Sequence, residues 1–187
     1  MMEAWGEVLR GWGRHVAAVL CAVAIIGTAG LSHAEGLGDQ DKFKPGDKAP
    51  DFTLKSTTGE DVKLSSFAGK KVVLLNFWGL RCGACLEEMP YLEKIANSYK
   101  DGVIVLGVDT DGVGADEVNA TLKEVGVKVG YPLLLDKEFA VTDVYTNFLV
   151  PLTVVIDKSG TIQYFHVGFE KGTEKHYEDA VKKALGL

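Results

Sequence analysis

The sequence predicts an α/β domain built around a mixed β-sheet. Two uninterrupted apolar runs, residues 72–77 and 103–108, are typical of strands that are buried on both faces of a sheet. Between them, residues 85–99 carry apolar side chains at helical spacing. Near the carboxyl end, the turn-forming residues 157–160 join two further apolar segments, as in a β-hairpin. Alternating strands and helices that end in a hairpin give a sheet with both parallel and antiparallel pairs.

The remaining elements follow from shorter patterns of the same kind. Two short strands near the amino end are joined by a Thr-Thr-Gly-Glu turn at residues 57–60. Pro90 falls within the first helix and is expected to kink it. In chain order, the expected strands are 51–54, 62–64, 72–77, 103–108, 131–135, 152–156 and 161–167, and the expected helices are 85–99, 115–125, 139–145 and a last one that begins near residue 173.

The first 34 residues have the composition of a secretory signal peptide. Arg10 and Arg14 precede an uncharged apolar run at residues 16–31, and small residues stand at the end of the segment. An uncleaved membrane anchor is the alternative, but the run is shorter than the roughly 20 residues that a spanning helix needs. We therefore expect export to the periplasm or another extracytoplasmic compartment, a linker at 35–48, and one domain at 49–187.

Charge and cysteine content narrow the classes of partner and cofactor. The formal net charge is −6 and no basic run is present, which argues against nucleic acid and anionic membrane surfaces as partners. Outside the leader the only cysteines are Cys82 and Cys85. Two cysteines three residues apart cannot hold a domain together, and they lack the further ligands of a structural zinc site. We expect no metal and no cofactor.

The Cys82-Gly-Ala-Cys85 pair is the candidate redox site. Cys82 follows a buried strand and a short turn and stands at the start of a helix, where unpaired backbone N–H groups favour the thiolate. Arg81 adds a positive charge beside it. Cys85 lies one turn further along and is expected to be more buried. Cys82 is therefore the predicted nucleophile and Cys85 the predicted resolving cysteine, although half of a zinc site and inert core cysteines share the same spacing.

Six short segments around this pair occur in a characteristic order: Ala-Pro-Asp-Phe-Thr-Leu at 49–54, Asn-Phe-Trp-Gly at 76–79, the cysteine pair at 82–85, Glu-Met-Pro at 88–90, Val-Pro at 150–151 and Val-Ile-Asp-Lys-Ser-Gly at 155–160. Together they resemble the thioredoxin superfamily, and in particular its extracytoplasmic TlpA/ResA-like branch. The resemblance covers about residues 43–187. It implies a thioredoxin fold with an additional N-terminal β-hairpin and a central strand–helix insertion.

The resemblance also implies roles for individual residues. Pro151 corresponds to a cis-proline that faces the cysteines and leaves neighbouring backbone groups free to pair with a substrate. Glu88 corresponds to an acidic residue that tunes thiol reactivity, with a solvated helix position like that of Glu87 as the alternative. Asn76 stands where thioredoxin has a buried aspartate, so Glu88 is expected to replace that proton acceptor in part.

Two departures from the family pattern bear on function. Arg81 occupies the position of a tryptophan that usually precedes the first cysteine, which removes an apolar surface and adds a charge. Gly83 and Ala84 separate the cysteines, at two positions that influence the redox potential. Since neither residue is a proline or carries a charge, this pair does not by itself distinguish a reductant from an oxidant.

The sequence thus predicts a thiol–disulfide oxidoreductase that acts on protein thiols. The resemblance suggests a reductant, with apocytochrome c among its substrates and a membrane electron donor that restores its dithiol form. A peroxiredoxin-like peroxidase is an alternative, because the motif at 49–54 also occurs in that class. A Cu(I) carrier that uses Cys82 and Cys85 is a second alternative.

Overall fold

A computed structural model describes residues 42–187 of the chain, and the predicted signal peptide at 1–34 lies outside the described residues. One seven-stranded sheet organises the domain, with strand order β2-β1-β5-β4-β3-β6-β7. The strands are β1 (Thr53–Ser56), β2 (Asp61–Lys63), β3 (Val72–Trp78), β4 (Val103–Asp109), β5 (Leu133–Leu135), β6 (Leu152–Ile156) and β7 (Ile162–Val167).

The sheet is mixed, as the alternation of strands and helices predicts. β3 pairs in parallel with β4, and β4 with β5. The β6–β7 hairpin adds antiparallel strands on the other side of β3. All seven residues of β3 are buried, which explains its uninterrupted apolar sequence. The turn that carries the cysteines therefore begins at the carboxyl end of a strand inside the sheet.

Helices cover both faces of the sheet. They are α1 (Gly83–Ser98), α2 (Ala115–Glu124), α3 (Thr142–Tyr145) and α4 (Thr173–Leu185). One face packs against α1, α2 and α4, and the other packs against α3 and the N-terminal segment. Among the described residues no helix is long and apolar enough to cross a membrane. The thioredoxin-like α/β architecture expected from the sequence is confirmed.

The N-terminal hairpin and the central insertion meet at one side of the sheet. β1 and β2 form the expected antiparallel hairpin. β5, which follows α2 in the insertion, pairs with β1 on one side and β4 on the other. Each of the two additions thus supplies backbone hydrogen-bond partners for the other, and the edge of β5 is not left open.

Several predicted boundaries move by a few residues. The first strand begins at Thr53 rather than at residue 51, and the fifth at Leu133 rather than at 131. The first helix begins at Gly83 rather than at 85, and it continues through Pro90. Within the segment 35–48, the amide of Gly46 donates to the carbonyl of Ile162 at 2.8 Å, which joins the end of this segment to β7.

Candidate active site

The cysteine pair lies at the junction of the central strand and α1. Cys82 is the N-cap residue of α1, and its Sγ accepts a hydrogen bond from the amide of Cys85 at 3.1 Å. The two residues form a disulfide. Cys82 is partly exposed whereas Cys85 is completely buried. A partner sulfur therefore has access to Cys82 rather than to Cys85.

The turn before Cys82 is held by the loop that follows β4. The amide of Leu80 donates to Oδ2 of Asp111 at 2.5 Å. The amide of Thr110 donates to the carbonyl of Trp78 at 2.9 Å. Arg81 is exposed, and no ion pair joins it to any other residue within 42–187. The turn is thus held by the Asp111 carboxylate and by a backbone hydrogen bond, while the Arg81 side chain is exposed.

The loop before β6 carries the second part of the site. The Val150–Pro151 peptide bond is cis, and Pro151 is buried. The carbonyl of Pro151 accepts from the amide of Gly168 at 2.7 Å. A groove of about 520 Å³ lies between Ala84 of α1, Pro151 and the segment that leads to α4. Ala84, which separates the two cysteines in sequence, thus shares a groove with the cis-proline loop.

A buried carboxylic acid lies beneath α1. Glu88 is 0 % exposed, so the solvated position shared with Glu87 is excluded. Its Oε2 accepts from Nδ2 of Asn76 at 2.8 Å, and its Oε1 accepts from the hydroxyl of Thr153 at 2.8 Å. Asn76 and Thr153 face each other in the β3–β6 register. Two neighbouring strands thus present donors to one carboxyl group on the helix above them.

Burial controls the titration of this acid. Desolvation raises the pKa of Glu88 from 4.5 to about 7, although hydrogen bonds from Thr153, Tyr177 and Asn76 act in the opposite direction. The hydroxyl of Tyr177, from α4, donates to the carbonyl of Gly168 at 3.3 Å. The pKa of Glu88 thus lies well above that of an exposed glutamate, at a position one helical turn after Cys85.

Sequence reasoning missed three residues of this arrangement. Thr153 is the one hydroxyl in the apolar strand 152–156, and that exception was its only signal. Tyr177 lies in the apolar stripe of α4, which gives no sign of a polar contact. Asp111 belongs to a segment that resembles an incomplete calcium loop. Its neighbour Asp109 is buried, and desolvation raises the pKa of Asp109 to about 6.

The described residues offer little for a metal ion. Within 42–187, no three side chains of His, Cys, Asp or Glu are grouped in a way that would hold one. The two cysteines are joined to each other, and Glu88 is occupied by Asn76 and Thr153. What the arrangement provides is an accessible sulfur, a buried sulfur, a buried acid and an adjoining groove.

Comparison with known proteins agrees with this geometry. The Redoxin family profile matches residues 44–181. The chain is 37% identical over 126 residues to the thioredoxin-like protein YneN of Bacillus subtilis, which covers 67% of this chain and 73% of YneN. It is 31% identical over 151 residues to the thiol-disulfide oxidoreductase ResA of Halalkalibacterium halodurans, and the aligned region covers 80% of this chain and 83% of ResA.

A solved structure is also similar to this chain, in fold as well as in sequence. The putative thiol:disulfide interchange protein DsbE from Chlorobium tepidum superimposes with a TM-score of 0.69 at 32% identity, over 76% of this chain and 99% of that one. The cysteine pair, the fold around it and these relatives lead to one assignment. The chain belongs to the Redoxin family, as a TlpA/ResA-like member of the thioredoxin superfamily, and it is a thiol–disulfide oxidoreductase.

Proposed function

We propose that the chain works outside the cytoplasm as a dithiol reductant of protein disulfides, and that the heme-binding cysteines of apocytochrome c are among its substrates. The observation that carries the proposal is the difference in exposure between the two cysteines at the start of α1. Cys82 is open to a partner and Cys85 is enclosed. This asymmetry suits attack by one sulfur and resolution by the other.

The proposed reaction uses two exchange steps. The thiolate of Cys82 attacks one sulfur of the target disulfide, the target S–S bond breaks, and the released thiolate takes up a proton. Cys85 then transfers its proton to the carboxylate of Glu88 and attacks the sulfur of Cys82. The mixed disulfide breaks and the second target thiolate leaves. The target gains two electrons, and the chain ends as the Cys82–Cys85 disulfide.

The buried acid favours the reducing direction. Thiol–disulfide proteins become strong oxidants when their dithiol form is stabilised as a thiolate. A carboxylate one turn from Cys85 opposes that thiolate, because both groups carry negative charge in surroundings that screen them weakly. The helix N-terminus and Arg81 act in the opposite sense at Cys82, where they activate the nucleophile. Pro151 is proposed to dock the substrate backbone.

The amino-terminal sequence supports an extracytoplasmic location, and that location in turn calls for a membrane electron donor. Residues 1–34 have the pattern of an export signal, or alternatively of a membrane anchor. An oxidising compartment offers no thiol buffer, so a dithiol that acts there needs a membrane electron donor to reduce it after each turnover.

Trapping in cells tests the proposal. In the Cys85→Ala variant, Cys82 can form a mixed disulfide with a partner but cannot resolve it. We expect this variant to accumulate covalent adducts, identified by mass spectrometry after non-reducing purification. The Cys82→Ala variant is the matched control and should accumulate none. The adducts should include apocytochrome c in cells that make c-type cytochromes.

Three results would count against parts of this scheme. Adducts without apocytochrome c would remove that substrate. Peroxide consumption by the wild type without any adduct would favour the peroxidase. Tight, stoichiometric Cu(I) binding by the reduced protein, without exchange activity, would favour the carrier.

A further inference from the structure

The loops around the cysteine pair carry an aromatic feature that the exchange chemistry does not use. Among the described residues, Phe139 and Phe148 are the two non-glycine residues with positive φ, at 56° and 58°. A left-handed backbone is unfavourable for a bulky side chain and persists where the surrounding structure requires it. Their ring centroids lie 6.1 Å apart with an interplanar angle of 58°, so the two strained residues form one contact.

This pair lies beside the active-site turn. Gly112 directly follows Asp111, whose carboxylate binds the amide of Leu80. A Cβ atom at Gly112 would lie 2.6 Å from Cζ of Phe139, so the ring rests directly on the glycine. The contacts thus run without a break from the turn before Cys82 to Phe139 and on to Phe148.

The same pair adjoins the cis-proline loop. Phe148 lies three residues before Pro151, and its amide donates to the hydroxyl of Thr146 at 2.8 Å. Its side chain is 59 % exposed, which is unusual for a ring that is fixed in place by a neighbour and a hydrogen-bonded loop. Phe148 therefore presents an exposed apolar surface in the loop that leads to the cis-proline, where it contacts Phe139.

We propose that Phe148, supported by Phe139, binds an apolar side chain next to the reactive cysteine of the partner protein, and that Arg81 selects an acidic residue on the same partner segment. The inference rests on the proposed function, because a partner sulfur must reach bonding distance of Cys82 and its neighbouring residues then lie over these loops. Arg81 is exposed and has no ion-pair partner among residues 42–187, so an acidic partner residue complements it. Phe148 thereby supplies an apolar contact that Arg81 does not offer.

Peptide kinetics test this preference. The substrates are disulfide-linked dimers of short peptides with one cysteine, flanked by Leu or Ser on one side and by Glu, Gln or Lys on the other. The rate constant for oxidation of the reduced protein is measured for each peptide. We expect the wild type to react about five- to tenfold faster with Leu peptides than with Ser peptides, the scale of one apolar side chain buried on an aromatic ring.

Substitution by asparagine isolates the ring from the backbone. Asparagine tolerates positive φ, so Phe148→Asn removes the apolar surface without adding strain. We expect the Leu-to-Ser rate ratio to fall to about 1 in this variant, and Phe148→Leu to restore most of it. Val144→Asn is the matched control, because Val144 is also an exposed apolar residue, at 43 %. It should keep the wild-type ratio.

The charge preference has its own comparison. Arg81→Gln should reduce the Glu-to-Lys rate ratio by about threefold or more at low salt. Lys128→Gln, an exposed cation in the segment between α2 and β5, should not change it.

Each outcome bears on one claim. Equal rates for Leu and Ser peptides in the wild type would overturn the inference and leave thiol–disulfide exchange intact. No reaction with any peptide disulfide would overturn the proposed function, and the inference with it. A wild-type dimer that Phe148→Asn converts to monomer, with unchanged peptide ratios, would identify the surface as a self-association site and overturn the inference.

Discussion

At the scale of single residues, Glu88 shows how burial changes the chemical behaviour of a carboxyl group. Glu87 and Glu88 are adjacent on α1, yet Glu87 is exposed and Glu88 is enclosed with Asn76 and Thr153 as donors. Desolvation raises the pKa of Glu88 to about 7. An acid whose pKa is higher in the folded than in the unfolded protein binds more protons when folded. Its contribution to stability is therefore present at low pH and lost as the pH rises.

This sign gives a prediction for the Glu88→Gln variant. Between pH 4.5 and about 7, Glu88 ionises in the unfolded chain but stays protonated in the folded protein. The free energy of unfolding of the wild type therefore falls as the pH rises through this range. Glutamine does not ionise, so the variant should gain stability relative to the wild type by about 3 kcal/mol between pH 4.5 and pH 8. Urea denaturation of both oxidised proteins at the two pH values measures the change.

Glu87→Gln is the control for this experiment. Its side chain is exposed, so the difference in stability from the wild type should change little with pH. Other buried acids, such as Asp109, are present in every variant and cancel in the comparison. A pH-independent difference between Glu88→Gln and the wild type would show that Glu88 does not titrate as a buried acid.

At the scale of the secondary-structure elements, close packing of β4 depends on a missing side chain. Gly107 pairs with Asn76 across the β3–β4 ladder. A Cβ atom there would lie 2.8 Å from Cδ2 of Leu133 and 3.4 Å from Nε1 of Trp78. The absence of a side chain lets Leu133 of β5 and the Trp78 ring pack directly against β4.

The Gly107→Ala variant tests this packing. The added methyl group must displace Leu133 within a filled core, so we expect a loss of about 1–3 kcal/mol in the free energy of unfolding. Chemical denaturation of the oxidised protein gives the value. Gly83→Ala is the matched control, because nothing lies within 4 Å of a Cβ at that helix start. An equal effect in both variants would argue against a packing cause.

At the scale of the whole molecule, residues of the N-terminal segment pack into the hydrophobic core. Tyr145 of α3 contacts the rings of Phe43, Phe52 and Phe77 with centroid distances of 5.4, 6.3 and 5.2 Å. Its hydroxyl donates to the carbonyl of Pro50 at 2.6 Å. The hairpin is thus anchored by a side-chain cluster beneath the sheet as well as by its strand pairing with β5.

The Phe52→Ala variant measures this coupling. Phe52 is buried, and truncation of a buried phenylalanine costs about 3–5 kcal/mol. We expect a loss of that size with a single unfolding transition in urea, because the hairpin and the central sheet should unfold together. Val125→Ala, at a position that is 47 % exposed, should cost well under ~1 kcal/mol. Two separate transitions would mean that the hairpin is not part of the same unit.

Much of the fold and the centre of the site were predictable from local patterns. The buried strands, the first and last helices, and the position of Cys82 at a helix start depend on residues within a few positions of one another. Boundaries near the hairpin and β5 were less predictable, because short strands are set by their pairing partners rather than by their own composition.

The sequence by itself determined the Cys82–Cys85 pair, the order of strands and helices, and the family resemblance that singles out Pro151 and Glu88. Only the tertiary structure decided that Glu88 is buried, that Asp111 holds the turn before Cys82, and that Phe139 and Phe148 meet beside it. The reason is physical. The hydrogen bonds from Thr153 to Glu88 and from Leu80 to Asp111 join residues 65 and 31 positions apart. Periodicity and capping report neighbours along the chain, whereas burial and hydrogen-bond partners are set by which elements the sheet brings together.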